Sequence, residues 1–191
     1  MSKRILLVED ESIIRLDISS ILKDNGYEVV GEAGDGEKAV ELALSIKPDL
    51  IIMDIKMPKL NGLKASEIIS GKLDIPIVLV TAYSQKEFVE RSKQSNVVGY
   101  LVKPVSEANM IPAIEVALHQ AEKMKDMKQA VDSAHEKVEK RKLVEKAKGL
   151  LMNHFNISEE KAYQRIRKVS MKHQLAMEQV AEKIILKYQT L

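Results

Sequence analysis

Cysteine is absent from the 191 residues, which excludes disulfides, thiolate metal sites and cysteine nucleophiles together and fits a reducing compartment. Long hydrophobic runs are absent too. Lys3-Arg4 precede an apolar stretch from Ile5 to Val8, but Glu9 ends it far short of a signal peptide or a membrane span. The expectation is a cytoplasmic protein with no membrane partner. A third absence concerns the second half: after Ala113 no strand pattern recurs. That half also holds no cluster of His, Asp and Glu resembling a catalytic pocket, since its acids mostly alternate with lysines.

What is present suffices for one ordinary domain and a smaller one, with 45% hydrophobic residues to build cores. The net charge of +2 hides an asymmetry. Residues 1–121 carry 14 Lys and Arg against 18 Asp and Glu, whereas residues 122–191 carry 16 against 10. A cationic module behind an acidic one points to nucleic acid or another anionic surface as the partner of the tail, although solvated helix faces produce the same bias.

Short apolar runs at residues 5–8, 29–30, 50–53, 77–80 and 99–102 alternate with helical patterns near 12–25, 37–46, 62–70, 85–95 and 106 onward. Runs that are apolar throughout suit strands buried on both faces, so five βα units and a central parallel sheet are expected. Pro112 is discordant within the last pattern, because proline inside a helix costs roughly 3 kcal/mol; Asn109 is a candidate cap there.

Asp54 ends the third run, and Glu9-Asp10-Glu11 follow the first. Carboxylates gathered at the carboxyl ends of parallel strands form a negative pocket that suits a hard divalent cation. Asp54 is the candidate nucleophile toward a phosphodonor, with Mg²⁺ neutralising the oxygens of the group in transit. Asp10 and Asp54 would ligate the metal, with Glu9 holding a coordinated water. Thr81 and Lys103 end the fourth and fifth runs, so a hydroxyl and an ammonium should reach the same rim and grip the added phosphoryl oxygens. Taken singly, each of these residues fits a helix cap or a structural ion pair equally well.

The segments Val8-Glu9-Asp10-Glu11, Met53-Asp54-Ile55-Lys56-Met57-Pro58 with Asn61-Gly62, Val80-Thr81-Ala82 and Tyr100-Leu101-Val102-Lys103-Pro104 together resemble the receiver domain of two-component response regulators, over roughly residues 1–121. The resemblance implies a flavodoxin-like (βα)5 fold and phosphorylation of Asp54 by a sensor histidine kinase. It implies a Mg²⁺ site from Glu9, Asp10, Asp54 and the Lys56 carbonyl, and a switch in which Thr81 moves toward the phosphoryl group as Tyr100 turns inward. Glu9 departs from the family pattern, where an aspartate is commoner. On this reading the protein is a phosphoacceptor regulator and not a conventional enzyme.

In the tail, Ala113, Ala117, Gln120, Met124, Met127, Val131, Ala134 and Val138 follow alternating steps of four and three, the seam of a left-handed coiled coil over residues 113–141. Small and flexible seam residues predict weak pairing; a linker helix lying on its own front domain is the alternative. Beyond it, Leu143, Ala147, Leu150 and Leu151 give an apolar face, and a break falls at residues 153–156. Ser158 is a plausible N-cap with Glu159 and Glu160 behind it. Ala162, Ile166 and Val169 form the next inner stripe, and Val180, Ala181, Ile184 and Ile185 that of a last helix. Lys161, Arg165, Lys168 and Lys172 line one side of the helix after Ser158, with Arg167 on another flank. Such a strip can track a phosphate backbone or be merely solvated.

Arg141, Glu145-Lys146-Ala147-Lys148-Gly149-Leu150-Leu151-Met152, Ser158-Glu159-Glu160, Ala162-Tyr163, Ile166-Arg167-Lys168, Ser170-Met171 and Val180-Ala181 resemble the ANTAR domain, an RNA-binding output module of antitermination regulators. The match begins near residue 125, and the compact three-helix module is expected at 142–191. Relatives of this two-part design govern ethanolamine use and nitrogen or amide catabolism, ethanolamine use being the first expectation, and the resemblance implies binding of paired RNA hairpins in nascent leader transcripts. Lys148, Arg165, Arg167 and Lys168 are the candidate RNA contacts; Tyr163 is expected to pack beside Ala162 and Ile166, and Gly149 to permit close helix approach. Phosphorylation would drive a homodimer through the weak seam. The rival expectation is a DNA-binding regulator whose last helices form a helix-turn-helix.

Overall fold

The structure, a computed structural model, describes residues 2–82 and 96–188. The helix expected at 85–95 lies outside them. Among the described residues are five strands and six helices. In chain order they are β1 (Arg4–Val8), α1 (Ser12–Asp24), β2 (Glu28–Ala33), α2 (Gly36–Ile46), β3 (Leu50–Asp54), α3 (Gly62–Ser70), β4 (Ile77–Thr81), β5 (Val97–Val102), α4 (Glu107–Phe155), α5 (Glu159–His173) and α6 (Met177–Tyr188). The chain divides into two compact units, Met1–Lys125 and Asp126–Leu191.

In the first unit the strands form one parallel sheet in the order β2-β1-β3-β4-β5, the flavodoxin-like arrangement. Every residue of β3 and β4 is buried, as strands covered on both faces must be. β2 lies at an edge and is only partly covered, so its apolar signal in the sequence is the shortest of the five.

The first turns of α4 close one face of the sheet. Met110, Ile114, Ala117 and Leu118 are buried among Ile5, Ile52, Val78 and Leu101. Ala113 and Ala117 therefore face this core and are not free for the seam expected from the heptad pattern. Pro112 lies inside the helix beyond its first turn, leaving the Ala108 carbonyl without its helical donor. Burying Met110, Ile114 and Leu118 stabilises by roughly 1.5–3 kcal/mol each, which outweighs that cost. Asn109 does not cap the helix. Ser106 holds that place, its carbonyl accepting from the Met110 N–H, while Asn109 Oδ1 accepts from the Ser106 N–H at 2.9 Å.

In the second unit Ala147, Leu151, Ala162, Ile166, Val180, Ala181 and Ile185 form a small core. Ser158 caps α5, accepting from the Lys161 N–H, and Gln174 ends it in the left-handed region at φ 53°. Three expectations need correction. Val169 is 42% exposed and Tyr163 39%, because both lie off the stripe that Ala162 and Ile166 turn inward. A methyl group at Gly149 would meet nothing within 4 Å, so no helix approaches there. The later seam residues Met124, Met127, Val131 and Val138 are 51 to 69% exposed along α4. No helix among the described residues is long and apolar enough to cross a membrane.

Candidate functional site

Strand order alone makes the pocket of the first unit. β1 lies beside β3 with Val8 opposite Met53, and β3 beside β4 with Asp54 opposite Val80. Glu9 and Asp10, just past Val8, and Asp54, just past Met53, consequently emerge side by side at the carboxyl edge. One carboxylate oxygen from each lies within 4.8 Å of the others. Glu9 and Asp54 are buried, at 1% and 4% exposure, and Asp10 is exposed.

Lys103 reaches into this cluster from the end of β5, the Lys103–Pro104 peptide being cis. Its ammonium donates to Asp54 Oδ2 at 2.7 Å and to Glu9 Oε1 at 3.0 Å. Glu9 Oε2 is as near, at 2.9 Å, but out of line for a hydrogen bond, and it is a buried oxygen with no donor. Burial holds the Glu9 carboxyl above its ordinary range, reinforced by the charge of Asp54 and opposed by Lys103. Burial draws the Lys103 ammonium downward, but hydrogen bonds and charge from Asp54 and Glu9 outweigh it and the net direction is up. An oxygen-only donor set with one orphaned buried oxygen suits a small hard cation.

The loop after β3 is shaped by close backbone approach. The Lys56 N–H donates to Asp54 Oδ1 at 3.2 Å, and the Gly62 N–H to the Ile55 carbonyl at 3.0 Å. A Cβ at Gly62 would fall 2.1 Å from the Asp54 carbonyl oxygen, so only glycine lets α3 start there. Lys59, at φ 61°, pairs at 2.7 Å with Asp35, which also caps α2. Arg15, which the motif reading passed over, donates to the Glu9 carbonyl and pairs at 3.4 Å with Glu32. A basic residue one turn into α1 was the only available signal for it.

Thr81 is 7% exposed at the end of β4, opposite Val102. Tyr100 is 58% exposed, so much of its side chain is in solvent. Beside the pocket, Ile13 and Leu16 on α1 are 85% and 73% exposed. They border an open cleft of about 770 Å³ whose far wall is Lys103, Pro104 and Val105.

In the second unit the four cations singled out from sequence separate into two kinds. Lys148 is 7% exposed, with Glu145 at 2.8 Å and Glu159 at 2.6 Å from its ammonium; it ties α4 to the start of α5. Arg165, Arg167 and Lys168 are exposed on α5 and have no carboxylate partner among the described residues. The structure thus gathers three of the four on an accessible helix and holds Lys148 inward.

Comparison with known proteins accords with both units. Residues 5–115 match the response regulator receiver domain and residues 132–185 the ANTAR domain. The transcriptional regulatory protein PdtaR of Mycobacterium tuberculosis is 44% identical over 183 residues, covering 96% of this chain and 89% of that protein. The chemotaxis protein CheY of Thermotoga maritima is 35% identical over 115 residues, which is 60% of this chain and 96% of that one. Among solved structures, the CheY-like receiver from Methanospirillum hungatei JF-1 superposes with a TM-score of 0.60 at 27% identity, over 65% of this chain and 99% of that one. The near full-length likeness to PdtaR, with a receiver match in front and an ANTAR match behind, shows that the chain belongs to the response regulators whose receiver domain is followed by an ANTAR domain.

Proposed function

We propose that the protein is a phosphorylation-activated antitermination regulator acting in the cytoplasm, in which a phosphoryl group on Asp54 drives dimerisation and two ANTAR modules then engage paired hairpins of a leader transcript. The observation that carries this reading is the convergence of Glu9, Asp10, Asp54 and Lys103 on one strand edge in a chain that ends in an ANTAR domain.

One Asp54 carboxylate oxygen attacks the phosphorus of a histidine-kinase phosphodonor as the bond to the donor breaks. Glu9, Asp10, Asp54 and the Lys56 carbonyl are the residues that would hold Mg²⁺, which when bound neutralises phosphoryl oxygens. Lys103 exchanges its contact with Asp54 for a phosphoryl oxygen, and the Thr81 hydroxyl donates to another. Tyr100, exposed before the event, turns inward as Thr81 moves. The kinase docks in the cleft walled by Ile13, Leu16 and Pro104, next to Lys103.

The exposed line Met124, Met127, Val131, Val138 supports the dimer. Its weak seam residues suit an assembly that forms only on signal. Two modules on one leader gain avidity only when hairpin spacing lets both engage. A DNA-binding alternative rests on the short connection between α5 and α6, in which Gln174 takes a left-handed turn.

The test is titration of two-hairpin leader RNA and of duplex promoter DNA with wild type and Asp54→Ala, each with and without acetyl phosphate, alongside solution mass. The expected result is phosphate-dependent dimerisation and tighter hairpin binding by wild type alone. Equal mass and equal RNA affinity in all four conditions would overturn the switch, and preference for duplex DNA would favour the alternative.

A further inference from the structure

We infer that a cluster at the junction of the ANTAR helices, Phe155 and His154 from the end of α4, Arg165 from α5, and Tyr188 with Lys187 from the end of α6, is a stacking platform for an unpaired RNA base. The inference rests on the RNA-binding reading above and adds where and how a base is held.

Phe, Tyr and Trp together make only 4% of the chain, yet one Phe and one Tyr meet a histidine ring at this point. His154 and Phe155 lie edge to face with centroids 4.8 Å apart, His154 and Tyr188 at 4.7 Å, and Phe155 and Tyr188 at 5.8 Å. Rings placed only to fill a core would be covered, whereas Phe155 is 40% exposed and His154 is exposed as well.

The Arg165 guanidinium lies 4.8 Å from the Phe155 ring centroid and the Lys187 ammonium 5.5 Å from that of Tyr188. Neither cation has a carboxylate partner among the described residues, in contrast with Lys148 and its two. A guanidinium seated over a ring is restrained there, keeps its full charge, and leaves its solvent side open to a second flat group. Unpaired bases in RNA loops stack on such aromatic and guanidinium planes. Arg165 and Lys161 also border an open cleft of about 400 Å³ with Ile157 and Ser158. The cleft puts two unpaired cations within reach of the phosphates flanking a stacked base. Inside a helix both faces of every base are already stacked and only the end pairs leave one free, so a loop or a single strand is the ligand that fits.

The chain contains no tryptophan, so Phe155→Trp in the full-length protein installs a single reporter in the platform. It is titrated with a six-nucleotide single-stranded RNA, a hairpin with a six-base loop, a blunt RNA duplex, and a deoxyribose oligomer of the same sequence as the single strand. Expected are quenching by single-stranded RNA and by the hairpin, and none by the duplex. Phe155→Leu, which keeps apolar volume and removes the ring, should weaken hairpin binding about 5- to 150-fold with an unchanged dependence on salt. Arg165→Gln should lower the salt slope by about one. Circular dichroism of Phe155→Leu matching wild type shows that the helices have folded.

Hairpin binding unaltered by Phe155→Leu, or quenching as strong with duplex, overturns the platform while leaving RNA binding intact. A deoxyribose oligomer that quenches as strongly as RNA overturns the assignment to RNA. Absence of hairpin binding by phosphorylated wild type overturns the functional reading and the platform with it.

Discussion

Replacing Lys103 by methionine keeps its aliphatic stem and deletes a charge that faces two buried carboxylates. Unit charges 2.7 Å apart attract by about 6 kcal/mol at an effective dielectric near 20. Desolvation of the three groups cancels much of this, and the Lys103 side chain retains 16% exposure, so the net loss expected is about 2–4 kcal/mol, the cost of leaving a buried charge without its partner. Glu9 sets the pH dependence. Burial first, then the charge of Asp54, raises its folded-state pKa above 4.5 despite Lys103. The native state therefore binds more protons than the unfolded state just above that value, and the contribution of Glu9 to stability falls as pH rises through the folded pKa. Without Lys103 the rise is larger, so the penalty of the variant should shrink on acidification toward the ordinary glutamate range. The assay is urea unfolding of the receiver transition in chelator at several pH values, then with Mg²⁺. A cation at 100 times its Kd stabilises by about 2.7 kcal/mol. The variant should gain more from Mg²⁺ than wild type, whose Lys103 competes for Glu9 and Asp54. A loss below about 0.5 kcal/mol, or an equal Mg²⁺ response in both proteins, would refute the reasoning.

Three further outcomes are expected. Tyr27 is raised from 10.0 to about 12 by burial and by its hydrogen bond to Glu115, so the wild-type advantage over Tyr27→Phe, full below pH 10, should decline by about 2–3 kcal/mol through pH 12 in denaturant melts. Ile13→Asp with Leu16→Asp should slow phosphotransfer from a kinase at least tenfold while leaving labelling by acetyl phosphate unchanged; equal slowing of both would place the defect in the pocket and not in docking. Val131→Asp, at an exposed position of α4, should abolish phosphate-dependent dimerisation in light scattering and weaken two-hairpin binding roughly 100-fold or more, with a single hairpin little affected.

Much of the receiver was legible in linear order because its strands are short and wholly buried. Four consecutive apolar residues, Leu50 to Met53, would be insoluble on a surface, and the first acid after such a run must emerge where the strand leaves the core. Asp54, Glu9, Thr81 and Lys103 were named on that ground. Ser158 was legible as a cap because its hydroxyl serves neighbours only three residues away. Periodicity was less reliable where two partners compete for one helix. Ala113 and Ala117 continue the heptad pattern of Met124 and Val131, yet the sheet takes the first two.

By itself, then, the sequence determined the parallel sheet, the acidic edge and the helical tail, since each follows from contacts between near neighbours or from the burial that a run of one kind of side chain demands. Only tertiary structure decided that Lys103 touches both Glu9 and Asp54, which depends on strand order. It alone decided that Lys148 is enclosed by Glu145 and Glu159 while Arg165 rests on Phe155. Charge is a property of a residue, but whether that charge is spent inside the fold or left for a partner depends on which distant side chains the packing brings to it.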